Sequence, residues 1–314
     1  MVDFFDKFYS TKESLRLLHN LRFYSGLRLV IKLLANLMIP LFYLITNRFN
    51  RYDNIDSNSE IIISITSFPD RIDRLWVVIE SILRQDQKVN KVILWLSKDQ
   101  FSSQDQLPKS LISQTFRGLN IKFCDSDLKS HKKYFYVFKK YPKMTVITLD
   151  DDVIYGSSVI SKLMYFHNIY PKSICCNIAH KIRIINNEIA DYTQWESQKT
   201  ANEPTLSLAF IGVGGVLYPP NVIHKSVFDR EIFMKLCINQ DDLWLKACSL
   251  LNKTKVCKTD YRSNFLPIIY LKNNKLSNTN VEGGENDLHL QKIRNYFNTN
   301  FNNDPFEYLL NGGK

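Results

Sequence analysis

Three consecutive aspartates, Asp150, Asp151 and Asp152, directly follow a strand-like run of mostly apolar residues, Met144–Leu149. Carboxylates packed this closely repel one another, so a positive group is expected nearby. If the run is a strand, they lie at its carboxyl end, where open α/β sheets place their ligands. Their hard oxygen atoms suit Mg²⁺ or Mn²⁺ that holds a diphosphate. The pattern predicts a metal–diphosphate site; the alternative is a solvated acidic turn.

A second acidic pair, Asp241 and Asp242, lies roughly 90 residues further on, which leaves room for an acceptor-binding half between the clusters. It begins a helix-like segment, 241–251. One aspartate near a helix N-terminus caps the helix and is stabilised by its dipole. Two are more than a cap needs, so one would be free to act as a general base.

The segments around the first cluster alternate between strand and helix. β-branched, buried-looking strands are predicted at Ile61–Thr66, Lys91–Leu96, Asn120–Cys124 and Met144–Leu149. Helices are predicted at Leu75–Leu83 and His131–Lys140. This alternation is typical of a doubly wound nucleotide-binding half, so the fold class is α/β.

The second half is less regular. Its segments read as helices or short extended stretches around a glycine-rich run, and they are Val159–Tyr170, Ser173–Ala179, Lys181–Ile185, Glu188–Tyr192, Ile211–Tyr218, Glu231–Cys237, Asp241–Leu251 and Asp287–Phe297. We divide the chain into a basic, apolar helical extension (1–56), a catalytic domain (57–272) and a C-terminal tail with a helix (273–314). Arg51–Glu60 is predicted to be a linker.

The extension combines basic and apolar residues. Its run Leu29–Thr46 is close to the roughly 20 residues that span a bilayer, although Lys32 and Pro40 interrupt it. Basic residues precede the run, interleaved with leucines, and they are Lys7, Lys12, Arg16, Arg22 and Arg28. This predicts attachment to an anionic membrane surface, and whether the run spans or lies on the bilayer stays open. The alternatives are a helical hairpin packed on the catalytic domain and a helix used for oligomerisation.

Composition narrows the partners. The chain has 314 residues, 45% of them hydrophobic, and a net charge of +10, so an anionic partner is expected. No zinc-finger, RNP or basic-zipper signature accompanies this charge, which argues against nucleic acid. The six cysteines show no C-x-x-C pair, which predicts free, buried thiols in a reducing compartment, and we expect a cytoplasmic protein on the inner face of the cell membrane. The sequence does not predict an oligomeric state.

Four blocks in fixed order resemble bacterial GT-A glycosyltransferases: Ile61–Arg71, Leu149–Asp152, Gly212–Tyr218 and Gln240–Trp244. The chain is similar to the family-2-type inverting enzymes of capsule and lipopolysaccharide synthesis from about residue 60 to about residue 260. The resemblance implies a GT-A fold, in which a Rossmann-like nucleotide-binding half is fused to an acceptor-binding half. It also implies Mn²⁺ or Mg²⁺, a nucleotide-sugar donor, a UDP-sugar above all, and a glycan or lipid-linked acceptor.

The resemblance assigns roles to residues at matching positions. Thr66, Ser67 and Arg71 would contact the nucleotide, and Gly214 and Gly215 would let the backbone approach donor and acceptor. Asp150, Asp151 and Asp152 match the D-x-D-type motif, with Asp152 the direct metal ligand and Asp150 nearer the ribose or sugar. Asp242 would be the base, but Asp241 stands where the family usually has Glu, so the division between these two stays open. Three further basic residues are candidates for the same site, and they are Lys132, Lys133 and His289.

Each of these three basic residues also has an interpretation without a role in the site. Lys132 and Lys133 either add positive charge near the diphosphate or lie on a solvated helix face. His289 either completes the metal shell or is a surface histidine. Trp195 lies in a polar stretch and is our candidate for stacking on an acceptor sugar.

The chemistry fits two separate acidic clusters. Sugar transfer needs charge neutralisation on the leaving diphosphate, which a divalent ion supplies, and a base aligned with the acceptor hydroxyl. With no second carboxylate required as nucleophile, direct displacement with inversion is expected. Two other functions remain open: a two-metal phosphoryl-transfer enzyme, such as a nuclease or nucleotidyltransferase, and a non-catalytic nucleotide-sugar-binding protein.

Overall fold

The computed structural model describes residues 1–10, 23–49, 54–263, 265–270 and 284–310. Two helices begin it: α1, Val2–Tyr9, and α2, Phe23–Phe49. The apolar run predicted from the sequence lies within α2. The basic stretch around Lys12, Arg16 and Arg22 lies outside the described residues, as do part of the predicted linker and the asparagine-rich start of the tail.

Four parallel strands form the predicted nucleotide-binding half. In chain order the elements are β1 Ile61–Thr66, α3 Pro69–Leu83, β2 Lys91–Ser97, α4 Lys109–Ile112, β3 Leu119–Cys124, α5 Lys132–Lys140 and β4 Thr145–Thr148. The strand order is β4-β1-β2-β3, and all three pairings are parallel. The neighbouring residues Ile62 and Ile63 are both fully buried although they point to opposite faces of the sheet, as expected where helices cover both faces of a parallel sheet. The α/β prediction is confirmed.

Helix α3 begins earlier than the apolar periodicity indicated. Pro69 occupies its first turn, where the missing N–H of proline costs no hydrogen bond. The helix therefore starts three residues after β1 ends at Thr66 rather than at Leu75. Ser67 and Arg71 are thereby brought to the carboxyl end of the strand.

The second half of the chain contributes shorter elements. They are β5 Val153–Ile154, α6 Val159–Ile169, β6 Ile174–Cys176, β7 Ala179–Lys181, β8 Ile184–Ile185, β9 Glu188–Ile189, β10 Glu196–Ser197, β11 Leu208–Phe210, β12 Val216–Tyr218, α7 Arg230–Leu236, α8 Asp241–Leu251, β13 Val256–Lys258, β14 Leu266–Pro267, α9 Glu285–Phe301 and α10 Glu307–Leu310. Strand β12 pairs antiparallel with β4, and β6 and β13 follow it, which completes a seven-stranded mixed sheet. Because β12 joins β4, the glycine-rich run before β12 lies beside the aspartates after β4.

The C-terminal helix packs on the second half. Trp244 of α8 stacks on Phe297 of α9 with ring centroids 5.7 Å apart, and both side chains are buried. These rings belong to a hydrophobic cluster that also contains buried residues of α7 and β11. Helix α9 thus holds α8, and with it Asp241 and Asp242, from the side away from the sheet.

All six cysteines are free and buried. Cys175 and Cys257 face each other across neighbouring strands with their sulfur atoms 3.3 Å apart. Burial raises the pKa of Cys176, so this thiol stays protonated and behaves as a small apolar side chain. The expected buried thiols are confirmed.

Among the described residues, α2 is the one helix long and apolar enough to cross a membrane by length and composition, with a mean hydropathy of 2.0. Only 22% of its most apolar window is buried. Its buried side chains, Ala35, Ile39 and Tyr43, recur every four residues and belong to a hydrophobic cluster that also contains buried residues of β1 and α3.

Candidate active site

Both acidic clusters line a single cavity of about 920 Å³ at the carboxyl ends of β1 and β4. Asp150, Asp151 and Asp152 follow β4, and Asp241 and Asp242 begin α8. The cavity falls within the usual size range of pockets for small molecules. The requirement that two patches distant in sequence meet around one ligand is therefore satisfied by the fold.

Both carboxylate oxygens of the middle aspartate of the triplet are hydrogen-bonded to protein side chains. Asp151 Oδ1 accepts a hydrogen bond from Arg71 Nη1 at 2.5 Å, and its Oδ2 accepts one from Ser67 Oγ at 2.6 Å. Burial alone would lower the pKa of Arg71, but Asp151 and then Asp152 raise it above its usual value. Arg71 is thus the positive group that the sequence required, and Ser67 and Arg71 orient the triplet.

The outer two aspartates face the cavity. The side chains of Asp150 and Asp152 are 28% and 36% exposed, against 8% for Asp151. Arg71 Nη1 lies 3.1 Å from one oxygen of Asp152. Burial, reinforced by the neighbouring carboxylates and opposed by Arg71, raises the pKa of Asp152 to about 6. A carboxylate held in this way gains by binding a cation.

Lys133 joins the two clusters. Its Nζ donates to Asp150 Oδ1 at 2.8 Å and lies 2.9 Å from Asp241 Oδ2, and its side chain is 5% exposed. Burial alone would lower the pKa of Lys133, but Asp150 and Asp241 raise it well above its usual value. The same ammonium opposes the effect of burial on Asp241 and lowers the pKa of that carboxyl. Asp241 is therefore the ionised partner of a buried lysine.

Asp242 has the opposite character. Its Oδ2 accepts a hydrogen bond from the Gly212 N–H at 2.7 Å, while its buried Oδ1 has no hydrogen-bond partner among the described residues. Burial and the neighbouring Asp241 raise the pKa of Asp242 to about 7. A buried oxygen without a partner is costly in a folded protein and often marks a ligand site. The two acids thus differ in their surroundings: Asp241 is paired with Lys133, whereas one oxygen of Asp242 has no hydrogen-bond partner among the described residues.

Gly212 makes that arrangement possible. A Cβ at this position would lie 3.0 Å from both Asp242 Oδ1 and Lys133 Nζ. Any larger residue would press on the two groups that carry charge in this part of the cavity. Gly212 opens the glycine-rich block, but its role was missed because the sequence does not show which of the glycines approaches the acids.

The two later glycines serve packing. Gly214 and Gly215 are absent from the lining of the cavity, and a Cβ on either would clash with Ile178 or Leu149. Gly215 also has a φ of +86°, which side chains rarely adopt. These contacts give both glycines a packing role where β12 joins the loop before it, and that they let the backbone approach the donor stays a prediction.

Lys132 and Thr66 line the cavity, but each has a protein partner. Lys132 is buried and its Nζ donates to Asp127 Oδ1 at 2.5 Å. The Thr66 hydroxyl donates to the Trp95 carbonyl at 2.8 Å. The alternative of a solvated helix face is wrong for both Lys132 and Lys133, because both side chains are buried.

His289 and Trp195 do not join the site. His289 Nδ1 lies 2.7 Å from the Leu236 carbonyl, and no group of three His, Cys, Asp or Glu side chains among the described residues is placed to hold a metal. Trp195 is buried and its indole N–H donates to the Ala190 carbonyl at 2.9 Å, so it cannot stack on a sugar. Tyr192, which packs on Trp195 with centroids 4.8 Å apart, lines the cavity in its place.

Two tyrosines complete the acidic edge and carry no signal in the sequence. Tyr155 accepts a hydrogen bond from the Asp150 N–H at 2.8 Å. Tyr270 donates to the Asp151 carbonyl at 2.6 Å. Both fix the main chain of the triplet rather than its carboxylates.

The carboxylates that face the cavity fit a divalent cation. Asp150 and Asp152 offer hard oxygen atoms at the cavity surface, and Mg²⁺ in proteins is commonly held by one or two carboxylates plus the phosphates of a substrate. Two protein ligands are therefore enough if a diphosphate supplies the rest. Mn²⁺ takes the same oxygen ligands.

Comparisons with known proteins find similarity to solved structures at low sequence identity. No family model matches it, and no curated protein sequence matches it. It is similar to the solved structure of S. aureus TarS, at 12% identity over 76% of this chain and 73% of that one, with a TM-score of 0.47. It is also similar to mannosyltransferase PcManGT from Pyrobaculum calidifontis, solved with GDP-Man and Mn²⁺, at 10% identity over 90% and 79%, with a TM-score of 0.47.

A third solved structure, 4-diphosphocytidyl-2C-methyl-D-erythritol synthase, has 10% identity over 69% of this chain and 95% of that one, with a TM-score of 0.41. At such identities and TM-scores, the likenesses assign neither a substrate nor a residue role to this chain.

Proposed function

We propose that this protein is an inverting, metal-dependent glycosyltransferase that moves a sugar from a nucleotide sugar, such as a UDP-sugar, to a glycan or lipid-linked acceptor of a surface polysaccharide. One observation carries the proposal. Asp242 Oδ1, buried and without a partner among the described residues, shares a cavity with Asp150 and Asp152. A proton acceptor and a pair of cation-binding carboxylates are the two parts that this reaction needs.

The donor end of the cavity would be formed by the triplet. Asp150 and Asp152 would hold Mn²⁺ or Mg²⁺, which when bound neutralises charge on the diphosphate that leaves. Arg71 and Ser67 hold both oxygens of Asp151, which leaves the two more exposed carboxylates, Asp150 and Asp152, to meet a cation. Lys133 holds Asp150 at 2.8 Å and brings a positive charge to the same region.

The acceptor end would be formed by α8. Asp242 Oδ1 takes the proton of the acceptor hydroxyl as the oxygen bonds to the anomeric carbon and the bond from that carbon to the diphosphate breaks. A pKa of about 7 suits a base that must be ionised yet still bind a proton near neutrality. Asp241 is paired with Lys133, and in this proposal Asp150 and Asp152 hold the metal, so no carboxylate is left to act as nucleophile. One displacement would then invert the anomeric centre.

The rival functions fit less well. A two-metal phosphoryl-transfer site needs carboxylates that hold two ions together. Here Asp151 is paired with Arg71 and Asp241 with Lys133, which leaves two carboxylates of the triplet for metal. A non-catalytic binding protein has no need of a carboxyl group whose pKa lies near neutrality, whereas a general base does, and the pKa of Asp242 is raised to about 7.

The first experiment identifies the donor. UDP-, GDP-, CMP- and dTDP-sugars are screened with Mn²⁺ for a rise in the thermal unfolding midpoint and for metal-dependent hydrolysis. One nucleotide sugar should stabilise the protein, and its hydrolysis should require the metal.

The second experiment tests the base. Asp242→Asn should reduce transfer or hydrolysis by about 10²-fold or more while donor affinity stays about the same. Asp260→Asn is the control, because Asp260 is exposed and pairs with Lys162 away from the cavity. Normal turnover in Asp242→Asn, or metal-dependent cleavage of a phosphodiester with no sugar transferred, would refute the proposed function.

A further inference from the structure

One face of α2 presents apolar side chains to the outside along its whole length. The exposed ones lie on the side opposite Ala35, Ile39 and Tyr43, and they are Leu29, Val30, Leu33, Leu34, Leu37, Met38, Leu41, Leu44, Ile45 and Phe49. At a rise of about 1.5 Å per residue, this face is roughly 30 Å long. Contiguous apolar surface of this size on a protein marks an interaction site.

Helix α1 extends the same kind of surface. Phe4 and Phe8 lie one turn apart with ring centroids 4.9 Å apart, and both are exposed. Val2, Phe5 and Tyr9 face inward instead. Because α1 packs against α2, we treat the exposed residues of both helices as one surface, the N-terminal apolar face.

The charges of the N-terminal extension are mostly basic. Residues 1–56 contain eight Lys or Arg residues and five acidic ones. Within α2 itself Arg28, Lys32 and Arg48 are basic, and its sequence has no Asp or Glu. Two copies of such a face would repel each other, whereas an anionic surface would attract it. Charge therefore favours a lipid surface over self-association.

Polar contacts fix α2 along the body of the protein. Asn36 donates to the Pro267 carbonyl at 3.0 Å and accepts from the Ile269 N–H at 2.8 Å. Arg84 Nη2 donates to Thr46 Oγ1 and Asn47 Oδ1, each at 2.7 Å. A helix inserted across a bilayer would lose these partners and leave buried polar groups unpaired, which is costly. The helix is therefore placed to lie along a surface.

We propose that the N-terminal apolar face docks on an anionic lipid bilayer, with α2 parallel to the membrane plane and its exposed leucines in the acyl boundary. Amphipathic basic helices bind in this way through apolar burial plus attraction to anionic headgroups. Pro267, which Asn36 holds, also lines the cavity, so docking brings one wall of the candidate active site close to the membrane. The docking itself does not depend on which reaction the cavity performs.

The test uses the full chain and two matched double variants. Leu37→Glu with Leu41→Glu replaces side chains that are 62% and 51% exposed on the proposed face. Phe116→Glu with Ile169→Glu makes the same charge change at side chains that are 88% and 50% exposed elsewhere. Binding is measured by co-sedimentation with vesicles of equal parts phosphatidylcholine and phosphatidylglycerol, and with phosphatidylcholine alone. Urea unfolding confirms that each variant keeps its stability.

The unmodified protein and the control variant should bind the anionic vesicles, bind phosphatidylcholine more weakly, and be released by high salt. The α2 variant should bind at least about 100-fold more weakly, since each leucine that leaves the acyl boundary accounts for about a factor of ten or more. Equal binding by the α2 variant would overturn the proposal. Binding that survives an alkaline wash would also overturn it, because such binding indicates a helix that spans the bilayer. A third contrary result would be an unmodified protein that does not bind vesicles and forms a dimer, with the α2 variant monomeric.

Discussion

Replacing Lys133 with methionine should destabilise the protein by about 3–5 kcal/mol at neutral pH, the usual cost of leaving buried charges unpaired. The ammonium contacts Asp150 at 2.8 Å and Asp241 at 2.9 Å and is almost fully buried. At an effective dielectric constant of about 20, each contact contributes up to about 6 kcal/mol of attraction. Dehydration of the ammonium offsets much of this, and the remainder is what the variant loses.

The cost should depend on pH. In the wild-type protein the pKa of Lys133 is raised, so its contribution is complete below the unfolded value of about 10.5 and is lost only as the pH rises through the folded value. In the variant, Asp150 and Asp241 lose their cation, and the folded state then binds protons that the unfolded state has released. Stability of the variant should therefore recover as the pH falls from about 7 toward 4.

Urea unfolding followed by tryptophan fluorescence measures this difference at neutral and at acidic pH. Lys139→Met is the matched control, because Lys139 is an exposed lysine on the same helix, α5. Adding Asp241→Asn to Lys133→Met should restore part of the loss, since the more deeply buried of the two carboxylates is then neutral. The role of Lys133 as the bridge between the clusters would be refuted by either of two results. One is a free energy of unfolding for Lys133→Met within about 1 kcal/mol of the control at neutral pH, and the other is an equal loss of stability at both pH values.

Two further predictions concern the carboxylates of the cavity. The value of kcat/KM should rise with pH through about 7 as Asp242 loses its proton, and a profile that is flat across this range would exclude Asp242 as the base. Asp152→Asn should abolish Mn²⁺-dependent donor binding without lowering stability to urea, because burial already raises the pKa of Asp152 to about 6. Asp151→Asn should instead lower the free energy of unfolding by about 3–5 kcal/mol, because Arg71 loses its main partner. Both variants are measured by calorimetric metal titration and urea unfolding. Normal metal binding in Asp152→Asn together with normal stability in Asp151→Asn would contradict these roles.

The backbone of the nucleotide-binding half was predictable because local patterns determine it. Runs such as Ile61–Thr66 can bury both faces only inside a parallel sheet, and the acids that follow β4 must then lie at its carboxyl edge. The start of α8 at Asp241 was predicted for a similar local reason, since acidic residues favour a helix N-terminus.

Side-chain pairing could not be predicted, because it depends on residues far apart in the sequence. Arg71 reaches Asp151 across 80 positions, and this contact decides which aspartates of the triplet are free. Trp195 lies in a polar stretch, yet a single carbonyl from Ala190 satisfies its indole and lets it be buried. His289 is not among the residues that line the cavity, and its Nδ1 lies 2.7 Å from the Leu236 carbonyl on α7.

Asn36 links α2 to the cavity, so a movement of this helix can be transmitted to the candidate active site. Its side chain holds Pro267 and Ile269, and the residue between them, Ile268, donates its N–H to the Asp152 carbonyl at 2.9 Å. Strand β14 also pairs with β5, directly after the triplet. A tilt of α2 must therefore drag the main chain of Asp152 along or break these bonds. We expect strain on α2 to alter the affinity with which Asp150 and Asp152 would bind a cation, with no hinge required between the helix and the cavity.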